Sequence, residues 1–281
     1  MLLPSVLILL SAVLHVSWNL LIKRGGDKLV SAWTLDLVPA ALLWPLLFFT
    51  GFPDRRAWGV AAVSAIFHAA SSVALAEAYE RADLSVVYPV ARGLAPVLVA
   101  VGAGIALGER LSPQAVLGVL AVGIGVAWLG VSARSVGQGF AGLAWAATMA
   151  ALIAAYSIVD KIGVTRTPPL AYAIIFMACD TALLTPYVML RRGRKRIADV
   201  VRREGLLIAA SAAISLAGYV LVLSAMRLTQ VSYVAALREV SVVLAAIVGW
   251  RVLGEPVGAQ RIAAALLAAG GLITLSLALA R

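Results

Sequence analysis

The chain has 281 residues, 63% hydrophobic and only 13% charged, with a mean hydropathy of +1.00. A soluble globular domain is about 45–50% apolar and about 25% charged, so a water-soluble fold is excluded and lipid is the expected solvent. The net charge of +10 would suit nucleic acid in a soluble protein. Here the basic residues fall in short breaks between apolar runs, where membrane topology places them, and no nucleic-acid partner is expected.

A membrane helix needs about 20 mostly apolar residues. Ten such runs follow in order: Leu3–Ile22, Ser31–Thr50, Ala57–Ala78, Ser85–Leu107, Gln114–Val131, Gly139–Asp160, Leu170–Leu190, Leu206–Met226, Ser232–Trp250 and Gln260–Ala280. The first lacks a basic stretch before it and a small-residue cleavage site, and it continues through Trp18, so it reads as a retained span rather than a signal peptide. Breaks carry turn and charge signals, such as Gly51-Phe52-Pro53-Asp54, Pro168-Pro169 and Gly254-Glu255-Pro256. Ser112-Pro113 reads as an N-cap followed by proline at the first helical position. The longest polar stretch, Arg191–Glu204, is expected to be a loop. The one cysteine, Cys179, lies in an apolar run, which excludes an internal disulfide and a multi-cysteine metal site.

The chain repeats itself. A shift of 146 residues places Arg81 on Arg227, Arg92 on Arg238, Gly108-Glu109 on Gly254-Glu255 and Gly125 on Gly271. For the earlier spans a shift of 141 places His15 on Tyr156, Asn19 on Asp160 and Pro45 on Pro186. One insertion in the basic stretch Arg191–Glu204 accounts for both shifts. Each half, 1–135 and 136–281, then holds five spans, and an odd number sets the halves in opposite orientations. The expected fold is an all-α polytopic membrane protein of ten transmembrane helices in two inverted five-helix repeats. That construction is typical of secondary transporters, with the site near the midplane where the repeats meet.

Charge gives an orientation. With the N-terminus outside, the inner loops hold Lys23, Arg24, Lys28, Arg81, Arg134, Arg191, Arg192, Arg194, Lys195, Arg196, Arg202, Arg203 and Arg251. With it inside they hold Arg55, Arg56, Arg110, Lys161, Arg166, Arg227 and Arg281. Thirteen against seven favours an outside N-terminus.

Ionisable residues inside membrane spans are costly and usually face a cavity or a partner. Arg92 lies in Tyr88-Pro89-Val90-Ala91-Arg92-Gly93, where Tyr88 and Arg92 share a face. Pro89 and Pro96 free backbone carbonyls and are expected to break this helix along a cavity. Tyr233, Arg238 and Glu239 occupy the matching part of the ninth span. A guanidinium offers a fixed fork of donors for a carboxylate or phosphate, so Arg92 and Arg238 are candidate anchors for an anionic group. The structural alternative is an ion pair, Arg238 with Glu239 or Arg92 with Asp160. His15, Trp18 and Asn19 form a polar stripe with an aromatic wall on the first span, and Tyr156 and Asp160 are its repeat mates. The alternative for that stripe is interhelical hydrogen bonding and interfacial anchoring. Asp36 and Asp180 are lone carboxylates that could carry a coupling proton, while His68 and Glu77 have open readings. Glu109 and Glu255 are expected to orient turns, and Gly118, Gly125, Gly270 and Gly271 to allow close packing. There is no His/Glu zinc pattern, Gly-x-Ser-x-Gly, phosphate loop or cysteine pair, so no enzyme activity, metal or cofactor is expected.

These residues also carry a resemblance. The stretch from His15-Val16-Ser17-Trp18-Asn19 to Gly25-Gly26-Asp27 resembles the first helix of EamA-domain transporters, of the drug/metabolite transporter superfamily. Ala78-Tyr79-Glu80-Arg81-Ala82-Asp83-Leu84-Ser85, with Tyr88-Pro89 and Ala91-Arg92-Gly93, resembles the family's third-to-fourth helix region. Leu107-Gly108-Glu109-Arg110 and Leu253-Gly254-Glu255-Pro256 look like two copies of its Gly-Glu turn, and Tyr156-Ser157-Ile158-Val159-Asp160-Lys161 like the start of its second repeat. The resemblance implies a central cavity, transport of amino acids, metabolites or sugars, and cytoplasmic termini, the last against the charge count. The second repeat departs from the first, with Ala235 and Val242 in place of Pro89 and Pro96. Related four-helix multidrug exporters use a glutamate in the first helix, absent here, which argues against cationic drug export.

The expected function is secondary transport of a small polar solute, an anionic or zwitterionic metabolite such as an amino acid or organic acid, by alternating access in a bacterial inner membrane. The alternatives are a flippase for a lipid-linked head group and a non-transporting membrane scaffold. Expected partners are the solute, membrane lipid and coupling protons, in a monomer or homodimer.

Overall fold

A computed structural model describes residues 2–24, 26–81, 84–131, 140–244, 247 and 259–280. Side chains are described for these except residues 23, 24, 28, 50, 75–81, 84–89, 129–131, 140–143, 259, 261, 279 and 280. The described residues are almost entirely helical: α1 (Leu2–Arg24), α2 (Lys28–Leu42), α3 (Leu47–Thr50), α4 (Arg55–Arg81), α5 (Leu84–Leu107), α6 (Pro113–Val131), α7 (Phe140–Arg166), α8 (Pro169–Leu228), α9 (Val231–Arg238) and α10 (Ala259–Ala280). Among them five helical segments are long and apolar enough to cross a membrane: Leu2–Ile22, Arg55–Ala74, Val90–Leu107, Ala144–Arg166 and Pro169–Leu228. Their outer faces leave large apolar side chains uncovered, among them Leu2, Ile66, Ile105, Leu190 and Leu206. In water such a surface would aggregate; in a bilayer it is the lipid contact.

Several helix ends follow from their capping residues. Asp27 caps α2, accepting from the Val30 amide at 3.3 Å. Asp54 accepts from Ala57 at 2.7 Å at the start of α4. Ser112 Oγ accepts from Ala115 at 3.2 Å ahead of Pro113, the cap expected at α6. The second expected span is not one helix. α2 ends at Leu42, a 3-10 turn covers Trp44–Leu46, and α3 follows. The Leu43 amide makes the last bond of α2, to the Pro39 carbonyl; Pro45 has no N–H to continue the ladder, and the Leu46 amide turns back to the Leu43 carbonyl at 2.9 Å instead.

Two further expectations are corrected. The stretch Arg191–Glu204 is not a loop: it is helical within α8, broken only at Gly193, whose φ of 71° and ψ of 159° turn the chain. Arginine, lysine and alanine favour helix, and Ile197, Val200 and Ile208 bury against Val30, Trp33, Leu184 and Val188. Its basic face is neutralised locally. Asp27 receives Arg192 Nε at 2.9 Å and Arg196 Nε at 3.4 Å, and Glu204 Oε1 accepts the Gly26 amide at 2.9 Å. Burial works against the Asp27 charge, but the Val30 amide and Arg192, with Arg196, outweigh it and hold the carboxyl below its usual range.

The other correction concerns helix breaks. α5 is helical throughout Leu84–Leu107, across both Pro89 and Pro96. The break lies in the second half, which lacks those prolines. α9 stops at Arg238, Glu239 N–H turns back to the Ala236 carbonyl at 3.2 Å, and Val242 N–H donates to the Glu239 carbonyl at 3.0 Å. Both are i→i+3 bonds, a local tightening of the pitch.

α6 packs on α10, α1 and α2 on α8, α4 on α7 and α8, and α5 on α6, α7 and α9. The α6–α10 contact is backbone against backbone. A Cβ on Gly125 would meet Ala268 N at 2.5 Å and Ala264 O at 2.8 Å; one on Gly271 would meet Val122 N at 2.6 Å and Gly118 O at 2.8 Å. The 146-residue shift carries Gly118 to Ala264, Val122 to Ala268 and Gly125 to Gly271. It therefore converts each of these contacts into another. The main core lies between α5, α7, α8 and α9, around Tyr172, Phe176, Leu223 and Met226.

Candidate functional site

Three polar groups lie within the helical body. The first joins α5 to α9. Arg92 Nη2 stands 3.0 Å from Glu239 Oε1, with both side chains buried. Glu239 sits at the break in the ninth span, so the tight turn after α9 aims its carboxylate across at α5. The sequence-level alternatives, Arg238 with Glu239 or Arg92 with Asp160, are not what forms. Arg238 is half-buried at the end of α9. α1 also packs on α9, and Arg92 and Arg238 both bear electrostatically on His15. The half-buried His15 ring meets Trp18 edge-on, at 5.0 Å and 87°. Asn19 is exposed and donates from Nδ2 to the His15 carbonyl of its own helix at 2.7 Å. The Tyr88 side chain lies outside the described residues.

The second group is centred on Asp160 of α7, which is buried. Ser64 Oγ donates to Asp160 Oδ1 at 2.5 Å, Tyr172 OH to the same oxygen at 2.9 Å, and Tyr219 OH to Oδ2 at 2.8 Å. Three hydroxyls from α4 and α8 thus tie one carboxylate, and Gly163 leaves room for the Tyr172 ring beside α7. This arrangement can position helices and leaves few lone pairs for a solute.

The third group brings Asp36 of α2, His68 of α4 and Asp180 of α8 within 4.8 Å of one another. Tyr156 is buried and meets the His68 ring edge-on at 5.0 Å, and Phe176 meets it at 5.1 Å. Tyr156 thus joins the third group rather than the His15 stripe. Asp36 and Asp180, lone carboxylates along the sequence, thus share one site with His68. The signal was there: three isolated ionisable groups in three apolar spans are best accommodated by meeting each other.

Tyr233 stands apart from Arg92 and Glu239. It is six residues before Glu239, roughly 9 Å along a helix axis, and lines a cavity of about 880 Å³ between the ends of α5, α7, α8 and α9. Lys161, Arg166, Arg227 and Glu109 also border that cavity. Glu109 orients a turn, as expected. Its carboxylate accepts from the Val231 amide at 2.7 Å, the Ser232 amide at 3.1 Å and Ser232 Oγ at 2.6 Å, capping α9 from the other half of the chain. Lys161 Nζ donates to the carbonyls of Met226 at 2.5 Å and Thr229 at 2.9 Å, closing the end of α8. The repeat counterpart of Glu109, Glu255, lies outside the described residues.

The sequence profile of the EamA-like transporter family matches residues 2–131 and again residues 140–277. The chain belongs to the EamA-like transporter family. This EamA-like chain is a multi-pass membrane protein and a transporter of small solutes. A solved structure described only as "Crystal structure of protein" is similar over 98% of this chain and 97% of that one, with a TM-score of 0.74 and 20% identity. At that identity the likeness shows the fold alone. No curated protein matches the chain.

Proposed function

We propose that the chain is a secondary transporter of a small zwitterionic solute, an amino acid being the simplest, bound between Arg92 and Glu239. The single observation behind this reading is their buried ion pair, 3.0 Å long, at the break after α9. A buried pair is costly to break one-sidedly, because removing one partner strands the other charge. A plain anion taking Arg92 would leave Glu239 with only the charge of Arg238 beside it. A zwitterion replaces both halves, its carboxylate on the Arg92 fork and its ammonium on Glu239. His15 and Trp18 on α1 provide the adjoining aromatic and polar wall.

Around this site we place ten spans in two inverted repeats, 1–135 and 136–281, rocking against each other in a bacterial inner membrane. The exchange of α6–α10 contacts under the 146-residue shift supports a two-fold relation between halves. Broken helices at the site are a recurrent feature of such carriers. The test is counterflow of labelled amino acids into proteoliposomes preloaded with unlabelled ones. Wild type exchanges at least one amino acid, and Arg92→Gln and Glu239→Gln each abolish the exchange. Exchange unchanged in Arg92→Gln would make the pair structural and remove the proposed site.

A further inference from the structure

Asp36, His68 and Asp180 come from three different helices and are not part of the Arg92–Glu239 site. His68 Nδ1 lies 3.4 Å from Asp180 Oδ1. Asp180 is completely buried, yet neither of its carboxylate oxygens accepts a hydrogen bond among the described residues. His68 differs: its side chain keeps 31% of its surface exposed, although it sits near the middle of α4 and lies against Tyr156 and Phe176. His68 is thus the exposed end of this pair and Asp180 its buried end.

The charged surroundings of His68 are acidic. Asp36 faces it from α2, Asp160 from α7 and Asp180 from α8. The other titratable groups packed nearby are Tyr156 on α7 and Tyr172, Cys179 and Tyr219 on α8, the latter three around Asp160 and Asp180. Two basic residues of the neighbouring helices α7 and α5 are engaged elsewhere, Lys161 by the Met226 and Thr229 carbonyls and Arg92 by Glu239. Two carboxylates and a neutral imidazole hold two negative charges, and uncompensated charge in a low-dielectric interior is strongly unfavourable. Two protons distributed over the three groups make the cluster neutral; loss of one leaves a net charge that a change in exposure relieves.

We propose that Asp36, His68 and Asp180 form one proton-exchange site, with His68 as its water-facing relay, and that this site couples solute movement to a proton gradient. In each cycle a proton joins the cluster from one compartment through His68 and leaves to the other once the repeats have rocked; only N–H and O–H bonds form and break. The coupling rests on the transporter reading; the proton site itself does not.

The chain has two histidines, His15 and His68. Full-length protein labelled with 15N-histidine in lipid nanodiscs therefore gives two imidazoles, with His68 assigned through His15→Gln. Between about pH 4 and 10, His68 titrates. Its midpoint moves by about one unit or more in Asp180→Asn and in Asp36→Asn, while the His15 signal stays in place. No titration of His68 in wild type, or one unchanged midpoint in both variants, overturns the proton site. Coupling is read in proteoliposomes by comparing amino-acid counterflow without a pH gradient with accumulation driven by one. His68→Gln and Asp180→Asn, confirmed monodisperse and helical, retain counterflow and lose driven accumulation. Driven accumulation persisting in both overturns the coupling. Absence of counterflow in wild type would sink the amino-acid reading, with the NMR titration still deciding the proton site.

Discussion

At the scale of single residues, three carboxylates of similar sequence context receive different surroundings. Glu239 meets a guanidinium, Asp160 meets three hydroxyls, and Asp180 meets an imidazole. Only the second is fully satisfied by neutral donors, so its removal is a stability problem first. Asp160→Ala leaves Ser64, Tyr172 and Tyr219 without their acceptor, and we expect a loss of about 2–3 kcal/mol, read as a lower unfolding temperature in detergent; an unchanged temperature would contradict the tie. These residues were individually legible, because an ionisable group in an apolar span stands out. Their partners were not. Arg92 was readable as a candidate, but its pairing with Glu239 depends on where the turn after α9 points, which no spacing along the chain encodes. Asp27 escaped notice because its partners, Arg192 and Arg196, are more than 160 residues away.

At the scale of elements, helix starts were legible where a cap residue marks them, as at Ser112-Pro113. Helix breaks were not. Proline removes one donor, but Pro89 and Pro96 sit in a helix that continues through them, whereas the turn at Glu239 has no breaker in its sequence. The basic stretch after Leu190 read as loop because charge marks breaks between membrane spans; it folds as helix because its apolar residues recur on one face and bury. Asp27 holds that helix to the start of α2. A carboxyl held below its unfolded value adds stability above that value and loses it as pH falls through the folded one. We therefore expect stability to decline on acidification below the ordinary aspartate value of 3.8. Asp27→Asn should flatten that decline, and a denaturation series against pH in both proteins checks it. At the other end, Glu109→Ala removes the cap of α9 and should cost about 1–2 kcal/mol. Glu109→Gln, which can still accept, should cost less; equal costs would show that the cap is not a hydrogen-bonding one.

At the scale of the molecule, the repeat was the most legible feature, since polar matches within apolar runs survive as a fixed shift. The glycine contacts between α6 and α10 give it a physical role. Gly125→Val would drive a side chain into the backbone of α10, and overpacking of this kind costs about 1–3 kcal/mol. An even number of spans places both termini on one side of the membrane. Cysteines added at residues 1 and 281 in a Cys179→Ser background should react with an impermeant reagent from the same side; reaction from opposite sides would contradict ten spans. That side also decides between the loop charge count and cytoplasmic termini.

The most direct test of the zwitterion site is a thermal-shift comparison of ligands that differ only in charge: an L-amino acid, the same skeleton without its ammonium, and the same skeleton without its carboxylate. A ligand that binds only the folded state stabilises it by about 2.7 kcal/mol at a hundredfold excess over Kd. We expect the zwitterion alone to raise the unfolding temperature of wild type, and neither Arg92→Gln nor Glu239→Gln to respond to it. Equal stabilisation by the simple acid, or a zwitterion response that survives in both variants, would show that the solute is not held between Arg92 and Glu239.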